Sequence, residues 1–187
     1  YSLWKIGHLP KDIKEKAWYS SVVGFASEKG IIKGFPNRTF RPLSEITREE
    51  FAAMVVRFSG IDIDKVLKEK GVKKQDPNTS EYHIDYPFSD IAGLWSEDYI
   101  SALYAMDWVK GYKDGTFKPK NSITRVEAVK IMNAVLGLKI EKDDLDKAEP
   151  KFVDVPKSHW AYYEIMTAAT KYIKPKPDTE KKKDEAK

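Results

Sequence analysis

Apolar residues recur along this chain in short blocks of helical period, and residues that favour turns separate the blocks. Phe51, Met54, Val55 and Phe58 stand at i, i+3, i+4 and i+7, one stripe of an amphipathic helix. Ala128, Ile131, Met132 and Val135 draw the same stripe further on. Trp18, Val22, Phe25 and Ala26 form an earlier one, and Ile100, Leu103, Tyr104 and Trp108 another. Ile165, Ala168 and Ala169 begin a fifth. Between the helices of each pair lies a tight turn with a short extended piece. The pattern predicts a mainly all-α chain built of helix–turn–helix units.

Those units are repeats. Gly34-Phe35-Pro36-Asn37-Arg38-Thr39-Phe40-Arg41-Pro42 returns as Gly111-Tyr112-Lys113-Asp114-Gly115-Thr116-Phe117-Lys118-Pro119, an offset of 77 residues from 34 to 111. The same offset carries Ile46-Thr47-Arg48-Glu49-Glu50 onto Ile123-Thr124-Arg125-Val126-Glu127, and Trp18 onto Trp95. One spacing shared by three landmarks defines an internal repeat. A third unit starts with Phe152-Val153-Asp154, which echoes Phe88-Ser89-Asp90, and with His159-Trp160-Ala161. It stops at Lys174-Pro175-Lys176-Pro177, which cannot continue a helix interior. The expected organisation is unit one at 1–60, a connection at 61–86, unit two at 87–138, a partial unit three at 139–173 and a charged tail at 174–187. Within the connection, Asp62 to Lys70 suits a short helix and Lys73 to Asp85 a loop.

Thr47-Arg48-Glu49-Glu50 and Thr124-Arg125-Val126-Glu127 both read as capping boxes, with the Thr oxygen on the third helical amide and the Glu reaching back to the Thr amide. Capping explains Thr47, Glu50, Thr124 and Glu127. It leaves Arg48 and Arg125 unexplained, because a cation at the first helical position faces the positive end of the dipole and costs about 0.3–1 kcal/mol. Two readings follow. A guanidinium beside free helix-start amides is a receptor for a carboxylate or phosphate. Alternatively, each Arg pairs with an acid of a neighbouring unit. Exposure beside a groove favours the receptor, and burial against a protein carboxylate favours the scaffold. If both are receptors, Arg48→Ala and Arg125→Ala lower binding and leave stability almost unchanged. Asp114-Gly115 is a turn dipeptide; its counterpart Asn37-Arg38 either forces positive φ on a non-Gly residue or changes the turn. Gly34 and Gly111 permit close backbone approach, to a ligand or to another segment. Phe35 and Tyr112 are candidates for lining a groove, and Trp18, Trp95 and Trp160 for core anchoring or sugar stacking. Asp90 and Asp154 read as turn or cap groups. The start of unit three should supply a third helix to a shared core through Trp160, Ile165 and Ile173.

Composition narrows the function by exclusion. The formal charge is +4 over 187 residues, and Lys is mixed with acids rather than striped with aromatics, unlike a nucleic-acid footprint. There is no cysteine, hence no thiolate metal site or cysteine nucleophile. His8, His83 and His159 are isolated, and neither a phosphate loop nor a nucleophile elbow occurs. The reading is a non-enzyme without metal or cofactor. No apolar run reaches the ~20 residues of a membrane span, and a start at Tyr1 is compatible with a leader having been removed.

Together these landmarks resemble the S-layer homology module, whose pattern runs Phe-x-Asp, His-Trp-Ala, a helix ending in Gly, Gly-Tyr-x-Asp-Gly-Thr-Phe-x-Pro and Ile-Thr-Arg-x-Glu opening a second helix. Unit two matches from Phe88 to Val135. Unit one matches from Trp18 to Phe58 without a clear Phe-x-Asp, and unit three only from Phe152 to about Ile173. The resemblance implies a pseudo-threefold helical bundle with grooves between units. It implies noncovalent anchoring, outside the cell, of a larger surface protein to secondary cell-wall polysaccharide, often through a pyruvate ketal. Carried over, the ketal carboxylate falls to Arg48 and Arg125, with Arg125 the stronger candidate because unit one departs from the pattern at Asn37-Arg38. The implied ligand-binding set is Arg48, Arg125, Gly34, Gly111, Phe35, Tyr112, Asp114, Thr47, Thr124, Glu50, Glu127 and Trp160.

Overall fold

A computed structural model describes residues 10–71 and 88–170. The described residues hold seven α-helices: α1 (Ser20–Glu28), α2 (Arg48–Ser59), α3 (Ile63–Glu69), α4 (Glu97–Ala105), α5 (Arg125–Val135), α6 (Lys142–Lys147) and α7 (Tyr162–Thr170). No strand occurs among them, only an isolated antiparallel bridge between Thr47 and Ser122. The described residues are therefore mainly all-α, as the periodicity predicts. Helices α1 and α2 flank the first turn, α4 and α5 the second, and α7 opens the third unit. The expected loop at Lys73–Asp85, Ile173 and the charged tail lie outside the described residues.

Local chemistry fixes the helix ends. Both α2 and α5 start on complete capping boxes, Thr47 with Glu50 and Thr124 with Glu127. Gly60 closes α2 at φ 68°, a left-handed conformation open to glycine at little cost. Asp62 caps α3 by accepting from the Lys65 amide at 3.1 Å.

Packing follows one rule: the second helix of a unit carries the first helix of the next. Helix α2 packs on α4, α5 packs on α7, and α2 also meets α5. The central core joins Ala52, Val55 and Val56 of α2 to Ile100, Ala102 and Leu103 of α4, with Phe88, Ile91, Phe117 and Ile131 around them. A second cluster holds Leu145, Val155, Tyr162 and Met166. The contact of α7 with α5 includes a buried amide, Asn133 Nδ2, which donates to the Glu164 carbonyl at 2.8 Å and to its carboxylate at 3.2 Å.

Two expectations about the first helices need correction. Trp18, Val22 and Phe25 lie outside, and α1 buries Val23 and Ser27 instead. The stripe is real, but no described element covers it, because no second helix precedes unit one among the described residues. The tryptophans that open the three first helices are all exposed, at 84%, 54% and 67% for Trp18, Trp95 and Trp160, so none is a core anchor. Unit three does supply a packed helix, yet through Ala161, Tyr162, Met166 and Thr167 rather than Trp160, while Ile165 is only half-buried. Burying a Met side chain stabilises by about 1.5–3 kcal/mol, and a cavity in its place adds to the loss. Met166→Ala should therefore destabilise by about 2–5 kcal/mol, and removal of residues 151–187 should lower the thermal midpoint further still, as circular dichroism melting will show.

Candidate functional site

Each extended turn is pinned by one carboxylate. Asp90 accepts the amides of Phe117 and Lys118, both at 2.8 Å. Asp12 does the same for Phe40 and Arg41, at 2.8 and 2.6 Å. Burial opposes ionisation of Asp12, but these amides and the Arg41 charge outweigh it and hold the carboxyl below its ordinary value. Arg41 and Lys118 sit at φ 60° and 57°, left-handed positions that the bridged carboxylates help to hold. Asp90 is thus a turn group, as expected. Asp12 was hidden in the sequence, because Pro10-Lys11-Asp12 replaces the Phe-x-Asp pattern and lies 78 rather than 77 residues before its partner at 90. Asp154 has no such amides to hold among the described residues, since no third turn follows it there.

Asp114 Oδ1 accepts from the Thr116 amide at 3.1 Å and hydroxyl at 2.6 Å, and the Thr116 hydroxyl is the main cause of its lowered pKa. Asn37 makes the same pair of bonds with Thr39. Arg38, at φ 66°, takes the left-handed place that Gly115 holds at φ 76°, so unit one keeps the turn by forcing a non-Gly residue into it. Gly111, at φ 70°, is a close approach to protein: a Cβ there would lie 2.2 Å from the Phe88 ring. Gly34 keeps the same conformation at φ 68°.

The two turns interlock. Ile123 N–H donates to the Ile46 carbonyl at 3.1 Å, Arg48 N–H to Asn121 at 2.8 Å and Glu49 N–H to Pro119 at 3.0 Å. The first amides of α2 are therefore taken by unit two. Glu49 is buried and accepts from Ser96 Oγ at 2.8 Å and Lys120 Nζ at 2.6 Å. Arg48 is 6% exposed. Its Nε donates to the Phe117 carbonyl at 2.8 Å and its Nη1 to Glu127 Oε1 at 2.7 Å, while the guanidinium lies 4.9 Å from the Tyr112 ring centre and 4.6 Å from that of Phe117. The Tyr112 hydroxyl donates to the same Glu127 oxygen at 2.7 Å. Burial raises the Tyr112 pKa, with the Glu127 bond adding to it. Burial also works against the Glu127 carboxylate, but the Thr124 amide, the Tyr112 and Thr124 hydroxyls and Arg48 prevail and lower its pKa.

The two arginines thus divide. Arg48 takes the inter-unit ion pair. Arg125 is exposed, and among the described residues it has no carboxylate or hydrogen-bond partner. The α5 capping box uses the Thr124 and Glu127 amides and leaves those of Arg125 and Val126 without a protein acceptor among the described residues. Tyr112, Glu127, Thr124 and Asp114 gather around the Arg48 pair and its turn; Thr47, Glu50, Gly34 and Phe35 form the matching set of unit one. Arg41 lies 4.1 Å over the Phe35 ring. Trp160 stands apart in unit three, stacked on His159 at 5.8 Å. Among the described residues no His, Asp or Glu cluster suits a metal, and no helix is long and apolar enough to cross a membrane.

Known proteins bear on this arrangement. The family model of the S-layer homology domain matches residues 11–52 and 87–129. Over 159 residues the chain is 36% identical to "Cell surface glycoprotein 1" of Acetivibrio thermocellus, which covers 84% of the chain and 6% of that protein. It is 35% identical to the "Cellulosome-anchoring protein" of the same organism, over 83% of the chain and 31% of the relative. An "Endoglucanase" of a Bacillus species is 29% identical over 65% of the chain and 12% of the enzyme. The chain thus spans under a third of each of these relatives.

Breaking a buried ion pair from one side costs about 3–5 kcal/mol, less where one partner is partly wet, as Glu127 is. Arg48→Ala should therefore cost about 2–4 kcal/mol, against the little change that a free receptor would show, whereas Arg125→Ala should stay within about 0.5 kcal/mol. Chemical denaturation of both variants measures the difference. Because the folded Glu127 pKa lies below its ordinary 4.5, its contribution is present above that pH and fades as pH falls below it. Glu127→Gln should flatten the acid limb of the stability curve below pH 4.5.

Proposed function

We propose that this chain, which carries two S-layer homology domains, is a non-catalytic anchoring module that holds a larger protein at the bacterial cell surface by binding an anionic wall polysaccharide. The relatives named for the cell surface and for anchoring support the coarse reading. An endoglucanase shares the segment over only 12% of its length, which is compatible with an attachment part in a larger protein.

The observation that carries the finer reading is Arg125. It places a cation at the start of α5 with no protein carboxylate among the described residues to answer it, although the dipole disfavours a cation there. A carboxylate from the ligand, such as a pyruvate ketal on an amino sugar, would receive the guanidinium and the neighbouring amides of Arg125 and Val126. Exposed Trp95 and Trp160 offer flat faces for sugar rings. Arg48, Tyr112 and Glu127 would then fix the walls between units one and two rather than touch the carboxylate.

The second reading, a scaffold within a surface assembly, draws on Arg48, whose burial against Glu127 is what such a scaffold needs. The two readings part on Arg125. Loss of a charge-assisted pair costs about 1.5–3 kcal/mol, roughly 10- to 150-fold in affinity. Arg125→Ala should lower binding to purified wall polysaccharide by that factor while melting as the unaltered chain does. Binding to depyruvylated polymer should fall equally in the unaltered chain and should not change further in the variant. Undiminished binding of Arg125→Ala would remove carboxylate recognition and leave the scaffold.

A further inference from the structure

A cleft of about 480 Å³ opens where the C-terminal ends of α3 and α4 meet, and Lys70, Tyr104, Ala105, Asp107 and Lys110 line it among the described residues. That volume falls in the range of small-molecule sites, about 300–1,000 Å³. None of its lining belongs to the interlocked turns or to the start of α5. Lys70 comes from the connection between units one and two, and the dipole of α3 accounts for a cation at its end.

The repeat does not account for Asp107 and Tyr104. The 77-residue offset sets Gly30 against Asp107 and Ser27 against Tyr104. The Gly30 amide donates to the Ser27 carbonyl at 3.0 Å and ends α1 at φ 71°; the Asp107 amide donates to the Tyr104 carbonyl at 2.9 Å and ends α4 at φ 57°. Two local forces oppose an aspartate in that place. Its Cβ disfavours the left-handed backbone that glycine accepts, and its charge stands at the negative end of the α4 dipole. Lys110 does not offset them, since it lies 4.0 Å away with both side chains 82% exposed, and so exposed an ion pair contributes little. The Tyr104 ring is 46% exposed yet fixed from below, edge-on to Phe88 with ring centres 5.4 Å apart, and Phe88 is itself buried against Phe117. A ring held on one side and open on the other is a preformed stacking face.

We propose that this cleft binds one acidic sugar residue, a pyranose bearing a carboxylate or a phosphate. The apolar face of the sugar lies on Tyr104, its hydroxyls donate to Asp107, and its acid group faces Lys70 and Lys110, which outnumber the one aspartate of the lining. A bare anion uses the lysines and gains nothing from the ring or the aspartate. A neutral sugar uses the ring and the aspartate and gains nothing from the lysines. Only a sugar acid uses all four side chains. The site stands apart from carboxylate recognition at Arg125, and either can fail without the other.

The test is amide NMR of the full 187-residue chain, titrated separately with glucuronic acid, glucose 6-phosphate, glucose and inorganic phosphate. Saturable shifts are expected at the amides of Tyr104, Ala105, Asp107 and Lys110 with one or both sugar acids, and the pair tells a carboxylate from a phosphate. Glucose and inorganic phosphate should bind about 10-fold more weakly or worse. Tyr104→Ser and the double variant Lys70→Ala, Lys110→Ala should each weaken sugar-acid binding by about 10-fold or more. Both lysines are exposed, so the double variant should melt as the unaltered chain does and keeps the test decisive even where Tyr104→Ser lowers stability. Asp107→Gly should weaken the sugar acid and strengthen inorganic phosphate. Val153→Asp, on fully exposed surface, should change neither. Absence of saturable shifts at these amides, inorganic phosphate binding as tightly as the sugar acids, or sugar-acid binding indifferent to the lysine variant would overturn the proposal. Shifts confined to Arg125 and Val126 would overturn it too, and would leave the reading of Arg125 standing.

Discussion

The Glu127 carboxylate is shared, and the rest of the structure depends on that sharing. One oxygen closes the cap of α5, and the other holds Arg48 and the Tyr112 hydroxyl. A cap is ordinarily a local device that ends a helix and informs nothing beyond its first turn. Here the same side chain fixes where α5 begins and where α2 begins relative to it. The bridge between Thr47 and Ser122 and the amides given to Asn121 and Pro119 are then set without a sheet. With the two turns locked, α2 presents Ala52 and Val56 to α4 and closes the central core.

That arrangement also accounts for a cation where a helix dipole disfavours one. The dipole penalty at the first helical position is about 0.3–1 kcal/mol. Arg48 offsets it with two charge-assisted or carbonyl bonds and two aromatic rings in a largely dry setting. Arg125 inherits the same sequence position without any of these partners among the described residues. Identical motifs therefore do different work: in one the arginine is part of the interior, in the other it faces solvent. The difference arises from what lies next to each unit, not from the motif.

Much of this was readable in the residues. Period-3.6 stripes gave the helices, and Thr-x-x-Glu placed the starts of α2 and α5 correctly. The turn chemistry at Asn37-Arg38 left positive φ at Arg38 or a changed turn, and the chain takes the first. What periodicity cannot carry is which side of a stripe finds a partner. Trp18, Val22 and Phe25 have the spacing of a core and lie outside, because a stripe states only that a face is apolar. Asp12 escaped because Pro10 stands in for Phe and the spacing slips by one residue. The departure at Asn37-Arg38 ranked Arg125 above Arg48 as a receptor, but the burial of Arg48 could not be read from the sequence, since 79 residues part it from the acid that pairs with it.

The Arg48–Glu127 link joins two different patches, a helix start that gives an arginine and a cap that receives it. In the language of symmetry it is heterologous. Such contacts do not pair a surface with itself; they close into a ring when the rotation returns on itself and otherwise run on as an open array. A molecule built on them has a direction. Arg48 of unit one gives and Glu127 of unit two receives, so units joined through these groups are joined head to tail, and a twofold pairing through them is excluded by their chemistry.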